Sequence, residues 1–337
     1  MKNLVDNNFI NDIKTLLEHA RQSVYKSVNT IMTKTYFEIG KRIVEEEQKG
    51  STRAKYGKEL LKNLSNELTK EYGKGFSVDN LENMRRFYLV YSKSETLSRK
   101  FELSWSHYIF LSRIKDENER NFYEIESIKN HWSLRELKRQ FDSALFERLA
   151  LSKDKNKAKE LSQKGQVIES PKDLIKEPYI LEFLGFEEKS YYSESELEQK
   201  LIDKLEHFLL ELGRGFTFVA RQKRFSFDEE HFRVDLVFYN RLLRCFVLID
   251  LKIGKLKHQD LGQMMMYVNY FDRFEKTEDE NSTIGIILCK DKNETLVELT
   301  LPKESQIFAS KYQTILPNKD ELKRVLDNKE ENQIYDI

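Results

Sequence analysis

Two apolar segments, "FRVDLVFYN" and "RCFVLIDLKIG", flank a short connection in the second half of the chain. Apolar runs of this length predict β-strands, and the short connection predicts an antiparallel hairpin. The hairpin nevertheless carries charged side chains, Asp235 in its first strand and Asp250 and Lys252 in its second. A fold that buries this hairpin must also accommodate these charges, which constrains the chain more than any other feature of the sequence.

The three charged side chains are expected to meet at one point. Side chains alternate across a strand, so Asp250 and Lys252 share a face, and strand pairing brings Asp235 beside them. Burial of an unpartnered carboxylate is costly, and two adjacent carboxylates raise each other's pKa. A divalent cation removes this penalty. Mg²⁺ typically takes one or two protein carboxylates and fills its other positions with water and phosphate oxygens.

Lys252 would lie beside such an ion. It could orient or help to deprotonate an attacking water, or neutralise charge that develops on a phosphate. The alternative is a structural salt bridge between Lys252 and one aspartate, which would leave the other carboxylate without a partner. The residue types therefore favour phosphodiester hydrolysis, with Asp235, Asp250 and Lys252 as catalytic residues.

The preceding helix offers a third acid. A capping box of Ser193 and Glu196 predicts where this helix begins, and the glycines from Gly213 predict its end. Glu198 continues the apolar stripe of the helix and is expected to point towards the sheet as a further catalytic and metal-binding residue. The alternative is a favourable interaction of this acid with the helix dipole.

Three more side chains are candidates around the same site. Gln263 and Tyr267 lie four residues apart in the helix after the second strand and face the same direction. Gln263 is expected to contact a phosphate or position water, with Tyr267 supporting it or simply packing in the core. Gln222, in "ARQKRF", is a weaker candidate. Tyr267 and Gln222 are both expected to contact nucleic acid.

The first half of the chain is helical and basic. Residues 1–165 carry 32 Lys and Arg against 24 Asp and Glu, whereas the remainder carries 25 against 33. This asymmetry suggests a polyanion-binding module beside a part that needs carboxylates. Helical periodicity, a glycine-containing turn and a plausible N-cap at Ser77 resemble a helix-turn-helix in spacing. Candidate DNA contacts on the second helix are Asn80, Asn83, Arg85 and Arg86, unless this surface is only a solvated helix face.

The fold class predicted is α+β with two domains. Residues 1–150 form a helical DNA-binding domain, residues 151–178 a charged linker, and residues 179–337 a nuclease domain. The element order of the second domain is αβββαβ, followed by a helix after Pro317, which predicts a mixed sheet flanked by helices. Cys245 and Cys289 lie in apolar runs and are expected to be buried, reduced thiols. No segment reads as a signal peptide or membrane span, so a cytoplasmic location is expected.

The chain resembles the YhcG-type family of bacterial PD-(D/E)XK nuclease proteins. The segments that carry the resemblance are "GFSVDNLENMRRFY", "WSLRELKRQFDSALFERL", "FLLELGRGFTFVARQKRF", "VDLVFYNRLLRCFVLIDLKIGK" and "GQMMMYVNYFD". The resemblance implies a restriction-endonuclease-like core and a Mg²⁺ site, in which Mn²⁺ can substitute, built from Asp235, Asp250 and Lys252 with Glu198 and Gln263 nearby. Val234 stands where the family motif has proline, and Asp250 where glutamate is more usual.

The expected function is that of a metal-dependent DNA endonuclease in restriction, phage defence or recombination. Two alternatives stay open: a catalytically weak nucleic-acid-binding or assembly protein on a nuclease fold, and an RNA-cleaving enzyme. The expected partners are DNA and a second copy of the chain, because a two-fold dimer mirrors the symmetry of a duplex. No membrane and no organic cofactor are expected.

Overall fold

The computed structural model of the protein describes residues 7–49, 54–92, 101–151, 155–186, 191–227, 230–302 and 304–324. The chain divides into two compact units, Met1–Leu137 and Lys138–Ile337. Its helices are α1 (Asn7–Lys49), α2 (Ala54–Tyr72), α3 (Val78–Tyr91), α4 (Trp105–Leu111), α5 (Glu117–Asn130), α6 (Leu134–Asp142), α7 (Leu145–Leu151), α8 (Lys155–Lys164), α9 (Glu194–Asp203), α10 (Leu205–Leu212), α11 (His258–Tyr270) and α12 (Glu294–Thr300). Its strands are β1 (Tyr179–Ile180), β2 (Phe216–Phe227), β3 (Glu230–Asn240), β4 (Cys245–Lys255), β5 (Ile284–Asp291) and β6 (Ile307–Gln313).

The first unit is helical, as predicted, and its core forms where α1 packs on α3. A Cβ atom at Gly40 would lie 2.1 Å from the carbonyl oxygen of Met84, so only glycine allows the two backbones to approach this closely. Phe87 of α3 is fully buried, and its ring contacts several aromatic side chains at centroid distances of 4.9 to 5.5 Å. This aromatic packing fixes α3 within the unit.

The predicted helix, short turn and helix around Gly73 are confirmed. Gly73 has a φ of 88°, a conformation that glycine adopts without strain, and a short 3₁₀ turn leads into α3. The Ser77 hydroxyl accepts a hydrogen bond from the backbone N–H of Asn80 and so caps α3 at the predicted residue.

The second unit is a six-stranded mixed sheet in the order β1-β6-β5-β4-β3-β2, between helices on both faces. The strands β2, β3 and β4 pair antiparallel, and β4, β5, β6 and β1 pair parallel. One face packs on Leu197 and Leu201 of α9 and on Phe208 of α10. The other packs on Leu261 and Met264 of α11. The predicted mixed sheet flanked by helices is therefore confirmed.

This unit differs from the expected order in three additional elements and in one broken helix. The strands β1 and β6 and the helix α12 are additional elements. The strand β1, at the edge of the sheet, has only two residues and gains its structure from pairing with β6. The single helix expected to end near Gly213 is broken at Lys204 into α9 and α10. This break changes which residues of α10 face inwards, and it buries Glu211 completely. Residues 319–324, after Pro317, are helical as predicted.

The segment 151–178, where the sequence places a linker, contains α8 and a 3₁₀ turn, and Leu174 and Lys176 within it are buried. Arg148 of α7, just before this segment, is also fully buried and forms an ion pair with Glu211 of α10, with Nη1 and Oε1 2.6 Å apart. The helix α7 is thus part of the core of the second unit. The domain boundaries themselves stay a prediction.

Cys245 and Cys289 are buried free thiols, as predicted, and burial raises the pKa of both. Throughout the described ranges, every helix is too short or too polar to span a bilayer.

Candidate active site

The candidate site lies where β3 and β4 separate. Their antiparallel register ends at Leu236 opposite Ile249, so Asp235 and Asp250 are the next residues on the two strands. Here Asp235 Oδ2 accepts a hydrogen bond from the backbone N–H of Leu251 at 2.9 Å. A side-chain carboxylate therefore takes the position that a backbone carbonyl would have in a continuous ladder. The two strands separate at this point, next to Asp235 and Asp250.

The two aspartates interact directly. Asp250 is only 3% exposed, and its carboxyl group and that of Asp235 each affect the pKa of the other. Burial and the neighbouring Asp250 raise the pKa of Asp235 from its ordinary value of 3.8 to about 6. Burial also raises the pKa of Asp250, although Lys252 opposes the shift. Two buried carboxyl groups this close favour one proton or one cation between them.

Lys252 neutralises part of this charge. Its Nζ lies 2.8 Å from Asp250 Oδ2, and its side chain is 18% exposed. Burial alone would lower the pKa of Lys252, but the acids around it, Asp250 first, raise it above the ordinary value. Lys252 is therefore a protonated cation near neutral pH. Asp250, Lys252 and Leu248 share the face of β4 that packs on α11, as strand alternation predicts.

Gln222 connects Glu198 to the two aspartates. Its Nε2 donates hydrogen bonds to Glu198 Oε2 at 2.6 Å and to Asp235 Oδ1 at 3.1 Å. The backbone φ of Gln222 is 48°, in the left-handed region that a non-glycine residue in a strand rarely adopts, so the local distortion of β2 aims this amide at the site. Glu198 is 5% exposed and also accepts a hydrogen bond from Arg221.

Gln263 and Tyr267 form a pair on α11, with the Gln263 amide donating to the Tyr267 hydroxyl. Tyr267 is only 1% exposed, so the core covers almost all of the surface that was expected to contact nucleic acid. Burial, together with the charge of Asp250, raises the pKa of Tyr267 to about 12. The charge of Asp250 therefore acts on the Tyr267 hydroxyl to which Gln263 donates.

Two site residues escaped the sequence analysis. Glu194, the first residue of α9, accepts a hydrogen bond from the backbone N–H of Ile253 at 3.3 Å, and its charge raises the pKa of both Asp250 and Lys252. Its position one turn before Glu198 was the signal that could have identified it. Arg221, the second, lies next to Gln222 in the sequence, but nothing in the local pattern indicates its pairing with Glu198.

The residues present fit a divalent metal ion held by two carboxylates. Asp250 Oδ2 is buried and, apart from its ion pair with Lys252, has no hydrogen-bond partner within the described part of the chain. Hard carboxylate oxygens are the ligands that Mg²⁺ takes in ones and twos. Among the described residues, no group of three or more His, Cys, Asp or Glu side chains is arranged to hold a metal. Glu198, predicted as a third ligand, accepts hydrogen bonds from Arg221 and Gln222, and its part in metal binding stays a prediction.

Of the four predicted DNA contacts on α3, Asn80 and Arg85 have partners within the first unit. Asn80 donates to the carbonyl oxygen of Gly75 and accepts from Trp105 Nε1 at 2.9 Å, so its amide fixes the turn before α3. Arg85 pairs with Glu47 through Nε and Oε2, 2.6 Å apart. Asn83 is half-buried and Arg86 is exposed on the same helix.

Two family models match the sequence of this chain. Residues 172–327 match the family model of the YhcG PDDEXK nuclease domain, and residues 12–148 match that of the DUF1016 N-terminal domain. The candidate nuclease YhcG of Escherichia coli (strain K12) is 40% identical to this chain in an alignment 338 positions long. The alignment covers 91% of this chain and 90% of that protein.

Two solved structures are distantly similar. A repair endonuclease from Pyrococcus abyssi is 20% identical with a TM-score of 0.26, covering 37% of this chain and 50% of that one. A complex of EndoMS with double-stranded DNA is 14% identical with a TM-score of 0.27, covering 40% and 50%. Likenesses of this size carry no argument about activity. The identity to the Escherichia coli protein does establish a family: the chain belongs to the YhcG family, whose C-terminal part is a PD-(D/E)XK nuclease domain.

Proposed function

We propose that the protein is a metal-dependent endonuclease that hydrolyses phosphodiester bonds in DNA. The observation that carries the proposal is the cluster of Asp235, Asp250 and Lys252 at the point where β3 and β4 separate. Two neighbouring carboxyl groups whose pKa values are raised, with a protonated lysine 2.8 Å from one of them, form a site for a cation and a phosphate.

Asp235 and Asp250 would hold a Mg²⁺ ion, for which Mn²⁺ can substitute. When bound, such an ion lowers the pKa of water and polarises the phosphate. The protein's own residues provide the rest of the site. Asp235 is held in place by the Leu251 N–H and the Gln222 amide, so it does not need to reorganise on binding.

Lys252 acts as a fixed positive charge. Because its pKa is raised, it stays protonated near neutral pH and does not accept a proton from water. Its ammonium therefore stabilises the negative charge that develops on the phosphate when water attacks phosphorus and the bond to the leaving oxygen breaks. Gln263, which donates a hydrogen bond to Tyr267, would orient the phosphate or the attacking water.

The first unit is proposed to hold the DNA. Arg86 is exposed on α3, and a cavity of about 670 Å³ at the start of α3 is lined by Lys70, Lys74 and Ser77. Cations beside the N-terminus of a 14-residue helix suit phosphate groups. Replacing Lys70 and Lys74 together with alanine should weaken DNA binding equally for all sequences and reduce its salt dependence by about two phosphate contacts. Unchanged salt dependence would remove this surface from the proposal.

A substrate panel tests the proposed activity. The full chain is incubated with linear, circular, single-stranded and branched DNA and with RNA, in Mg²⁺, in Mn²⁺ and in excess chelator. The proposal requires cleavage of DNA that depends on the metal and produces cuts within circular molecules. Cleavage of RNA alone, or of no substrate by a protein that still binds DNA, would contradict it.

A further inference from the structure

The first part of α1 exposes an apolar stripe that no described residue covers. Seven positions spaced three or four residues apart lie within about 80° of one another on the helix surface. They are Ile10, Ile13, Leu17, Ala20, Val24, Val28 and Ile31. Leu17 is 56% exposed and Val24 is 62% exposed, and the other large side chains of the stripe are also exposed.

The stripe is separate from the surface by which α1 belongs to its unit. Further along α1, Thr33, Gly40 and Val44 lie on the opposite side of the helix and are buried, and Gly40 contacts the backbone of α3. The apolar stripe therefore has no function in the core of the first unit. Soluble proteins rarely expose an apolar patch of several hundred Å² unless another molecule covers it.

We propose that this stripe, Ile10 to Ile31, is the surface on which a second copy of the chain packs, helix against helix. Side chains spaced by three and four residues over about 32 Å are the pattern by which two helices pair along their length. The inference concerns assembly and does not depend on the nuclease activity.

The stripe is complementary to itself. Counted from its midpoint between Ala20 and Arg21, Ile10 corresponds to Ile31, Ile13 to Val28 and Leu17 to Val24. A second copy that runs in the opposite direction therefore meets an apolar side chain at each of these levels, and a copy in the same direction meets its own equivalents. This is the self-complementarity that a closed two-fold interface requires.

The charges and the exposed apolar area of this segment are also compatible with the packing of a second copy. Residues 9–32 carry Asp12 and Glu18 against Lys14, Arg21 and Lys26, so two copies of the segment do not repel each other strongly. Phe9, Leu16 and Met32 extend the exposed apolar surface on the two flanks of the stripe. The apolar area exposed per chain is of the same order as the roughly 800 Å² that each partner buries in a standard interface.

The mass of the full chain in solution, measured by light scattering on a size-exclusion column, tests the proposal. We expect wild type to be a dimer at micromolar concentration and L17E/V24E to be a monomer. Because both side chains are exposed, the far-UV circular dichroism and the unfolding midpoint of the variant should stay unchanged. The matched control, N29E, changes an exposed residue on the opposite side of α1 and should remain a dimer. A monomeric wild type, or a dimer that persists in L17E/V24E, would overturn the inference.

Disulfide crosslinking of single-cysteine variants is a second test, which also captures chains that associate weakly. Under mild oxidation, L17C and V24C should form covalent dimers, each alone if the helices run parallel and only when mixed if they run antiparallel. N29C should form none. The native thiols Cys245 and Cys289 are buried and do not interfere. Absence of the stripe crosslinks in all three preparations would also overturn the proposal.

Discussion

The carboxylate of Asp235 accepts a hydrogen bond from the backbone N–H of Leu251, with Oδ2 and N 2.9 Å apart, at the point where β3 and β4 stop pairing. This contact gives Asp235 two separate roles. It satisfies a backbone donor that the ladder leaves free, and it places a carboxylate next to Asp250.

The two roles of Asp235 can be separated by substitution. In D235N the side-chain oxygen can still accept from Leu251, whereas in D235A the buried N–H loses its partner. We expect D235A to be less stable than D235N by about 1–3 kcal/mol, the cost of one unsatisfied donor. Urea unfolding of both variants at pH 7 measures the difference. Equal stabilities would show that the hydrogen bond does not contribute to folding, and both variants should lose DNA cleavage.

The raised pKa of Asp235 predicts a pH dependence of the free energy of unfolding in the absence of metal. The pKa is about 6 in the folded chain and 3.8 ordinarily, so the folded state binds more protons between these values. The stabilising contribution is complete below pH 3.8 and is lost as the pH rises through 6, by about 3 kcal/mol.

Measurements in chelator and with added metal separate the contribution of Asp235 to the free energy of unfolding from the contributions of other titrating groups. In excess chelator, wild type should lose stability relative to D235N as the pH rises from 4 to 6.5. Adding Mg²⁺ at pH 7 should restore stability to wild type only, because the ion binds the folded site. Parallel pH profiles of the two proteins would contradict the coupling between Asp235 and Asp250.

Gln222 is expected to affect metal binding more than folding. Its amide links Glu198 to Asp235, and removing an outer partner of a metal ligand typically weakens metal affinity 10–100-fold. In Q222A we therefore expect the Mg²⁺ concentration needed for half-maximal cleavage to rise by about this factor, while the rate at saturating Mg²⁺ changes less. The matched control is Q199A, since Gln199 forms hydrogen bonds with Arg221 and with the exposed Asp203, outside the pair of Asp235 and Asp250. If both variants showed the same increase in the required Mg²⁺ concentration, that increase would come from a general loosening of α9.

The buried pair of Arg148 and Glu211 predicts that α7 is indispensable to the second unit. Burial alone would raise the pKa of Glu211, but Arg148, Lys176 and Arg139 lower it to about 2. Glu211 also accepts from the backbone N–H of Ile180 at 2.9 Å.

Removing only one charge of this pair leaves the other buried without compensation. We expect E211Q to lower the free energy of unfolding by about 3–5 kcal/mol, whereas E206Q, on the exposed side of α10, should leave it nearly unchanged. Urea unfolding compares the two. A cost below 1 kcal/mol for E211Q would contradict the role of the pair.

The hairpin and the face of each of its residues were predictable because strand alternation is a local rule. The apolar residues around Asp250 leave no other assignment, and Asp235, Asp250 and Lys252 meet because one hairpin holds all three. The capping box that begins α9 was predictable because it is also a local pattern.

Other features depend on contacts between distant segments. The break at Lys204 changes the helical phase and turns Glu211 into the core, which a count at 100° per residue does not predict. The pairing of Arg221 with Glu198 depends on how α9 crosses β2. The strand β6 forms because β5 offers it a parallel partner, rather than because its own pattern is strongly apolar.

The most direct test of the account is the rate of metal-dependent DNA cleavage under single-turnover conditions by four variants of the full chain. D250N and K252M remove the paired charges of the site, and D203N and K204M remove exposed charges at the end of α9. We expect cleavage by wild type and both control variants in Mg²⁺, and a loss of at least about 100-fold in D250N and K252M. Cleavage by D250N and K252M at the wild-type rate would contradict the assignment of the active site.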